Sequence, residues 1–404
     1  MITRTPENPL ANIDPTGRLT AEVFGHKLSS PLILGSGTLV EKYEEVAPFL
    51  QAGTGAVIPR TTRKVMERTK HPSPHLYQEG RRGQELMLNA EWTGAAIDYW
   101  RPYLERLAQT GRVIMSVSGR DIPGCTEVCK ELDRFSFPLL EINVSCAHSN
   151  SVHGYITRNG QHIQTLIKSL KDAGVTTPIA IKLGHSDLIV ELSNIAKEAG
   201  ADAIVAINSL GPVLDFEIGP GGVPERILGI AGSKGGLTGS PLFHIALTDV
   251  AEIQKQVKIP VIACGGVSTA EQVLKMVMVG ATAVEIYTAA HVKGIYAPAV
   301  FTQLNQKLIE LLNDKGIPSL DTVRGSALSL LEEPTNLTPL VPELTEANCT
   351  GCDKCIPICL PQAISTIPSP NKAGHVIEIN SDVCVGCGHC VPTCPTNALH
   401  LPRS

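Results

Sequence analysis

Aromatic side chains make up only 4% of this 404-residue chain. Its core must therefore be built from Ala, Val, Ile and Leu, the usual filling of parallel sheets covered by helices. No run of basic residues occurs, and the formal net charge is −5, which argues against a nucleic-acid surface. No apolar stretch approaches the length of a membrane span. The opening residues, MITRTPENPLANIDPTG, lack the apolar segment of an export signal. These absences together point to a soluble cytoplasmic protein. A dinucleotide fingerprint is also missing, because the G-x-G at Gly35–Gly37 has no third glycine at the required spacing.

Cysteine, in contrast, is plentiful. Of 12 cysteines, eight lie between Cys349 and Cys394, and in a reducing compartment such clustering points to metal or cluster ligation in place of disulfides. The run CTGCDKCIPICLPQAI from Cys349 aligns with CVGCGHCVPTCPTNAL from Cys384, so the C-terminal region repeats itself. Cys349, Cys352, Cys355 and Cys359 follow the spacing C-x₂-C-x₂-C-x₃-C, and Cys384, Cys387, Cys390 and Cys394 repeat it. In two-cluster ferredoxins the fourth cysteine of each run ligates the other cluster, so Cys394 is expected to complete the first [4Fe–4S] cluster and Cys359 the second. Paired C-x₂-C motifs also make zinc sites. Two fourfold runs in tandem favour iron–sulfur. Cys125 and Cys129 read as helix residues, and Cys264 as strand packing.

Upstream, eight apolar strand-like runs recur at 32–35, 56–59, 113–117, 139–144, 179–183, 203–207, 261–264 and 283–286. Stretches between them, such as 161–173, 188–199, 242–257, 270–279 and 298–312, carry apolar residues at the three- and four-residue spacing of helices packed on one face. A hairpin turning at Gly25 is expected to precede the first of these strands. The alternation predicts an α/β fold, a (β/α)₈ TIM barrel with a small C-terminal two-cluster ferredoxin-like domain. An open doubly wound sheet is the rival. The expected boundaries are a barrel over 1–325, a proline-broken linker over 326–343 and the cluster domain over 344–404.

Active groups of such a barrel gather at the C-terminal ends of its strands. The polar and small residues at or just past the ends of seven of these runs are Ser36 and Gly37, Arg60 and Thr61, Asn143 with Cys146, Lys182, Asn208 with Ser209, Gly265 with Gly266, and Thr288 with Ala289. The last two pairs follow the seventh and eighth strands, where barrels commonly hold a phosphate on backbone N–H groups. The stretch LLEINVSCAHS, from Leu139, is the most informative. There an apolar strand runs into Asn143, Ser145 and Cys146, whose thiol can exchange a proton with a substrate carbon.

Asn143-Val144-Ser145-Cys146 is similar to the N-x-S-C-P motif of the FMN-dependent dihydroorotate and dihydropyrimidine dehydrogenases, and the resemblance covers about residues 19–404. It implies that Cys146 is the catalytic acid/base. His148, and the segment Asn89-Ala90-Glu91, resemble the dihydropyrimidine branch, which implies that Asn89, Glu91, Asn143, Ser145, His148, Asn208 and Ser209 meet the substrate. By the same resemblance Ser36, Gly37, Arg60, Asn89, Asn143, Lys182, Gly236, Gly265, Gly266, Thr288 and Ala289 hold FMN. Two positions depart from the family pattern: Arg60 stands where it has lysine, and Ala147 where it has proline. A planar fork does not replace a point charge conservatively.

The expected reaction is hydride transfer between flavin and the C5–C6 bond of a pyrimidine-type ring, with electrons passing through two [4Fe–4S] clusters. The outside donor is expected to be an FAD- and NAD(P)-binding reductase subunit or a ferredoxin, in a homo- or hetero-oligomer. Alternatives are dihydroorotate oxidation, reduction of another conjugated carbonyl compound, and an electron-transfer subunit with an idle barrel.

Overall fold

The structure is a computed structural model that describes residues 10, 12–65, 95–145, 159–228, 234–332, 338–369, 371 and 373–402, and the backbone of 76–79 and 86–89. The chain forms two compact units, Met1–Leu331 and Glu332–Ser404. Strands of the first unit are β1 (Ala21–Val23), β2 (His26–Leu28), β3 (Leu32–Leu34), β4 (Ala56–Val57), β5 (Leu76–Glu79), β6 (Leu86–Asn89), β7 (Met115–Ser118), β8 (Leu140–Asn143), β9 (Ile179–Leu183) and β10 (Ala203–Ala206). They continue with β11 (Leu210–Leu214), β12 (Glu217–Ile218), β13 (Pro224–Glu225), β14 (Lys234–Gly239), β15 (Val261–Cys264) and β16 (Ala283–Ile286).

Eight of these form one sheet in the order β4-β3-β16-β15-β10-β9-β8-β7. Every pairing in it is parallel. The two ends of that order also meet, because Val57 bridges Val113 and Thr62 bridges Val117. Thr62 N–H donates to the Ser116 carbonyl at 2.7 Å, and Ser118 N–H donates back to the Thr62 carbonyl at 2.9 Å. The sheet therefore closes on itself as a (β/α)₈ barrel, and the open-sheet alternative falls. All eight barrel strands lie within the apolar runs read from the sequence or overlap them. Helices Gly160–Asp172, Ile189–Glu198, Phe243–Glu252, Ala270–Met278 and Ala297–Asp314 occupy the expected stretches.

Alternation along the strands separates two apolar cores. Leu32, Leu34, Ile142, Ile181, Val284 and Ile286 face the helices. Ile33, Ala56, Ile114, Leu139, Ala180, Ile262 and Ala283 fill the barrel interior with Val23 and Leu28 of the hairpin. The β1–β2 hairpin plugs the end where the strands begin. Its two-residue turn places Phe24 and Gly25 at φ 48° and 79°, as the tight hairpin turn with two positive φ angles requires.

One step further along each strand, the interior changes character. Two residues after Ile114, Leu139, Ala180, Ile262 and Ala283 come Ser116, Glu141, Lys182, Cys264 and Glu285. Period-two geometry puts each on the same inward face. A polar layer thus lies on the apolar one, toward the C-terminal ends of the strands.

An antiparallel sheet, β11-β14-β6-β5, joins the excursion after β4 to that after β10. No local pattern in the sequence marks it, because its strands come from segments far apart in the chain. In its register Gly236 faces Asn89, which brings together two positions assigned to the cofactor. The short helix Ser326–Leu331 falls in the expected linker, yet Ala327, Leu328 and Leu331 pack on the helix-side core of the barrel.

In the second unit β17 (Glu343–Leu344) pairs with β20 (Leu399–His400), and β18 (Ile364–Pro368) pairs with β19 (His375–Ile379), both antiparallel. Cys349, Cys355 and Cys390 sit in its small core with Ile364, Val376, Ile377, Ala398 and Leu399. Among the described residues no helix is long and apolar enough to cross a membrane.

Candidate functional site

A cleft of ≈ 1090 Å³, counting its open mouth, lies over the polar layer of the barrel. It is lined by Ser36, Gly37, Arg60, Asn143, Lys182, Asn208, Ser209, Gly265, Gly266, Thr288 and Ala289, all of which the sequence reading had assigned to cofactor or substrate. Thr61, Cys264, Glu285 and Tyr287 line it as well.

The amides at the strand ends are held in place. Asn208 Nδ2 donates to Asn143 Oδ1 at 3.1 Å and to Ser145 Oγ at 3.1 Å. Ser145 Oγ donates in turn to the Lys182 carbonyl at 2.7 Å. Ser145 was expected at the substrate, but it is buried and does not line the cleft: its hydroxyl is occupied in bracing Asn208 against β9.

Below the amides runs a directed hydrogen-bond chain. Asn143 Nδ2 donates to Thr61 Oγ1 at 3.4 Å, Thr61 Oγ1 lies 2.9 Å from Ser116 Oγ, and Ser116 Oγ donates to Glu141 Oε1 at 2.7 Å. Since the Ser116 proton is committed to Glu141, Thr61 donates to Ser116. The chain ends on Lys182, whose Nζ donates to Glu141 Oε2 at 3.1 Å and Glu285 Oε2 at 2.6 Å. All three ionisable groups are buried.

Two carboxylates and one ammonium cannot all be ionised in balance in a buried site, because an excess charge there costs several kcal/mol or its neutralisation. Desolvation pulls the Lys182 ammonium down, but Glu141 and Glu285 outweigh it and hold the lysine well above its usual range. Burial, opposed by Lys182 and reinforced by the charge of Glu141, pushes the Glu285 carboxyl up to about 8. Neither glutamate was singled out from the sequence. The signal was there, in single acidic residues inside the apolar runs LLEINV and AVEI.

Cys264 packs against the barrel-interior core, as expected of a strand residue, and also lines the cleft; burial pushes its thiol up so that it stays protonated. At the rim Arg60 Nη1 donates to Glu41 Oε1 at 2.9 Å. Gly37 has no room for a side chain, since a Cβ there would come 2.1 Å from the Tyr287 ring. Gly265 and Gly266 stand at φ 128° and 72°, and a Cβ on Gly266 would meet the backbone nitrogen of Phe243 at 2.5 Å. Glycine at 266 is thus required by the protein's own backbone packing, and the turn still presents its main chain to the cleft.

Cys146, His148 and Glu91 lie outside the described residues, as does the Asn89 side chain. Asn143, three positions before Cys146 in the sequence, lines the cleft.

In the second unit one small apolar cavity is lined by Cys349, Cys352, Cys355 and Cys394, and another by Cys359, Cys384, Cys387 and Cys390. The fold thus brings three cysteines of each run together with the last cysteine of the other. Ala363 N–H donates to Cys359 Sγ at 3.3 Å and Ala398 N–H to Cys394 Sγ at 3.2 Å, the same contact in each half of the repeat.

Known proteins show the same two parts. The family model described as dihydroorotate dehydrogenase matches residues 18–312, and that described as 4Fe-4S dicluster domain matches residues 348–398. The catalytic subunit of dihydroorotate dehydrogenase B (NAD(+)) from Methanosarcina mazei is 29% identical over 328 residues, covering 78% of this chain and 98% of that one. Its counterpart from Bacillus pumilus is 29% identical over 294 residues, with 71% and 90% covered. That from Pyrococcus furiosus is 26% identical over 310 residues, with 76% and 97% covered. Among solved structures, the Eimeria tenella dihydroorotate dehydrogenase in complex with ferulenol superposes with a TM-score of 0.62 at 20% identity, over 78% of this chain and 90% of that one, a likeness of fold. An oxidoreductase barrel acting on a CH–CH bond, followed by an iron–sulfur domain, thus accounts for both units, and the chain belongs to the dihydroorotate dehydrogenase family.

Proposed function

We propose that the chain is an FMN- and iron–sulfur-dependent oxidoreductase that reduces or oxidises the C5–C6 bond of an uncharged pyrimidine-type ring. Support for a flavin comes from the fit between the cleft and such a group. The cleft offers paired amides and a lysine at one side, the main chain of Gly265, Gly266, Thr288 and Ala289 at the other, and a buried carboxyl oxygen, Glu285 Oε1, that has no partner. FMN bound there would supply two-electron hydride chemistry. Ser36, Gly37, Arg60, Asn89, Lys182 and Gly236 would hold it together with Asn143, and the glycine turn with Thr288 and Ala289 would take its phosphate.

The residues of the chain do the rest. Asn143 and Asn208 present amide donors and acceptors, which match the alternating carbonyl and N–H groups of a pyrimidine. Ser145 keeps Asn208 from rotating away. Cys146 moves a proton at the carbon next to the one that gains or loses hydride. His148, Ser209, Asn89 and Glu91 complete the substrate side. In the second unit Cys349, Cys352, Cys355 and Cys394 would hold one [4Fe–4S] cluster, and Cys384, Cys387, Cys390 and Cys359 the other. Thiolates ringing a cavity suit a cube better than a single zinc ion. One-electron carriers on the same chain as a two-electron site suit a wire to an outside donor, for which a subunit binding FAD and NAD(P), or a ferredoxin, is the fitting partner.

The observation that carries the choice of substrate is electrostatic. Among the described lining residues both cations are already engaged, Arg60 by Glu41 and Lys182 by Glu141 and Glu285. A ring bearing its own carboxylate would find no uncommitted positive charge among them, whereas a neutral ring needs none. The names of the relatives favour a second reading, dihydroorotate oxidation. Anaerobic addition of dihydrouracil or dihydroorotate to the purified chain separates the two. Bleaching of the flavin band by dihydrouracil alone is the expected result; bleaching by dihydroorotate alone would overturn it.

A further inference from the structure

The layer beneath the cleft contains one more acid than its charge balance allows. Glu285 lies between Lys182 of β9, which binds its Oε2 at 2.6 Å, and Cys264 of β15, its register partner. Glu141 of β8 shares the same lysine, and on the β3 side Gly35 lies so near that a Cβ there would come 3.2 Å from Glu285 Oε2. Lys182 is the one cation in this set, and it neutralises a single carboxylate. Glu285 is also the member of the trio with an oxygen, Oε1, that is buried without a partner, and it lines the cleft. A buried carboxylate oxygen with no donor is costly, but a protonated one is itself a donor awaiting an acceptor.

We propose that Glu285 is a proton-holding residue of the cleft, carrying the one proton that the Lys182–Glu141 ion pair leaves over and offering it as a hydrogen bond to the bound flavin. This rests on the flavin reading above. Reduction by a hydride donor delivers two electrons and one proton to the flavin and leaves one negative charge in the cleft. In neutral solution Glu285 already holds its proton. In alkaline solution, where the free site has lost it, a second proton comes from the solvent to Glu285 as that charge appears. Ionisation of Glu285 is thereby coupled to the redox state of the site.

The first test is infrared spectroscopy of the flavin-free full-length chain. At neutral pH the difference spectrum between the wild type and Glu285→Gln is expected to show a protonated-carboxyl C=O stretch, which disappears two pH units above the value of about 8. Glu141→Gln, which removes the competing carboxylate and lets Glu285 ionise against Lys182, is expected to abolish the band at neutral pH. Absence of the band from the wild type, or its persistence in Glu141→Gln, overturns the proposal. In alkaline solution dithionite reduction of the FMN-loaded chain is expected to take up two protons per flavin reduced in the wild type and one in Glu285→Gln; one in both overturns the coupling. A chain that shows the band but takes up no FMN refutes the flavin reading, and with it the donor role, while leaving the buried proton in place.

Discussion

At the scale of single residues, the site is held by a small number of buried polar contacts, and each has a measurable cost. Lys182→Met would leave two buried carboxylates facing each other, and breaking such a set by removing one partner costs about 3–5 kcal/mol. A thermal melt of the barrel should show that loss. The pH dependence has a definite sign. Burial raises the Glu285 carboxyl from 4.5 to about 8, so between those values the folded chain holds a proton that the unfolded chain has released. Stability from this group is therefore fully present in acid and is lost as pH rises through about 8. Melting temperature followed across that window should fall in the wild type and flatten in Glu285→Gln. Cys146→Ala should keep its cofactors yet lose roughly 10²- to 10⁴-fold in turnover, the usual contribution of a placed acid or base, and unchanged steady-state turnover would remove that thiol from the reaction. Most residues lining the cleft were legible in the sequence because they stand at or just past the C-terminal end of an apolar run. Glu141 and Glu285 were not, because an apolar run marks a strand without showing which of its faces turns inward, so an acid within it carries no sign of the groups it meets. Ser145 was misplaced for a different reason: adjacency to Cys146 in sequence says nothing about which face of the turn a hydroxyl takes.

At the scale of elements, the barrel strands and the main helices could be read because a parallel sheet buried on both faces yields continuous apolar runs. The four-stranded antiparallel sheet escaped notice, since its halves come from excursions after β4 and β10, and no local pattern records a pairing between distant segments. The glycine turn after β15 shows the converse case. Gly265 and Gly266 are expected at a phosphate on backbone N–H groups, and the structure supplies a separate cause for glycine at 266, the segment Gly239–Phe243 packed against it. Gly266→Ala should therefore destabilise the chain even without cofactor, by roughly 1–3 kcal/mol, the usual cost of a strained backbone position. Denaturant melts of the flavin-free protein measure this, and a loss confined to FMN affinity would mean that the turn serves the ligand alone.

At the scale of the whole molecule, the chain joins a barrel suited to two-electron chemistry to a unit suited to one-electron carriers, and each unit has its own core. That separation predicts separable failures. Cys352→Ser should lower iron content and electron exchange with an outside acceptor, while leaving barrel melting and flavin reduction by substrate intact. The repeat in the cysteine spacing foretold which cysteines share a cavity, since the pseudo-twofold pattern of the sequence is also a pattern of the fold. The central claim, a flavin in the barrel mouth wired through paired iron–sulfur cubes, is tested most directly by cofactor content. After oxygen-free reconstitution with FMN, iron and sulfide, the purified chain should retain one FMN and the iron of two [4Fe–4S] clusters, and a colourless protein would contradict it.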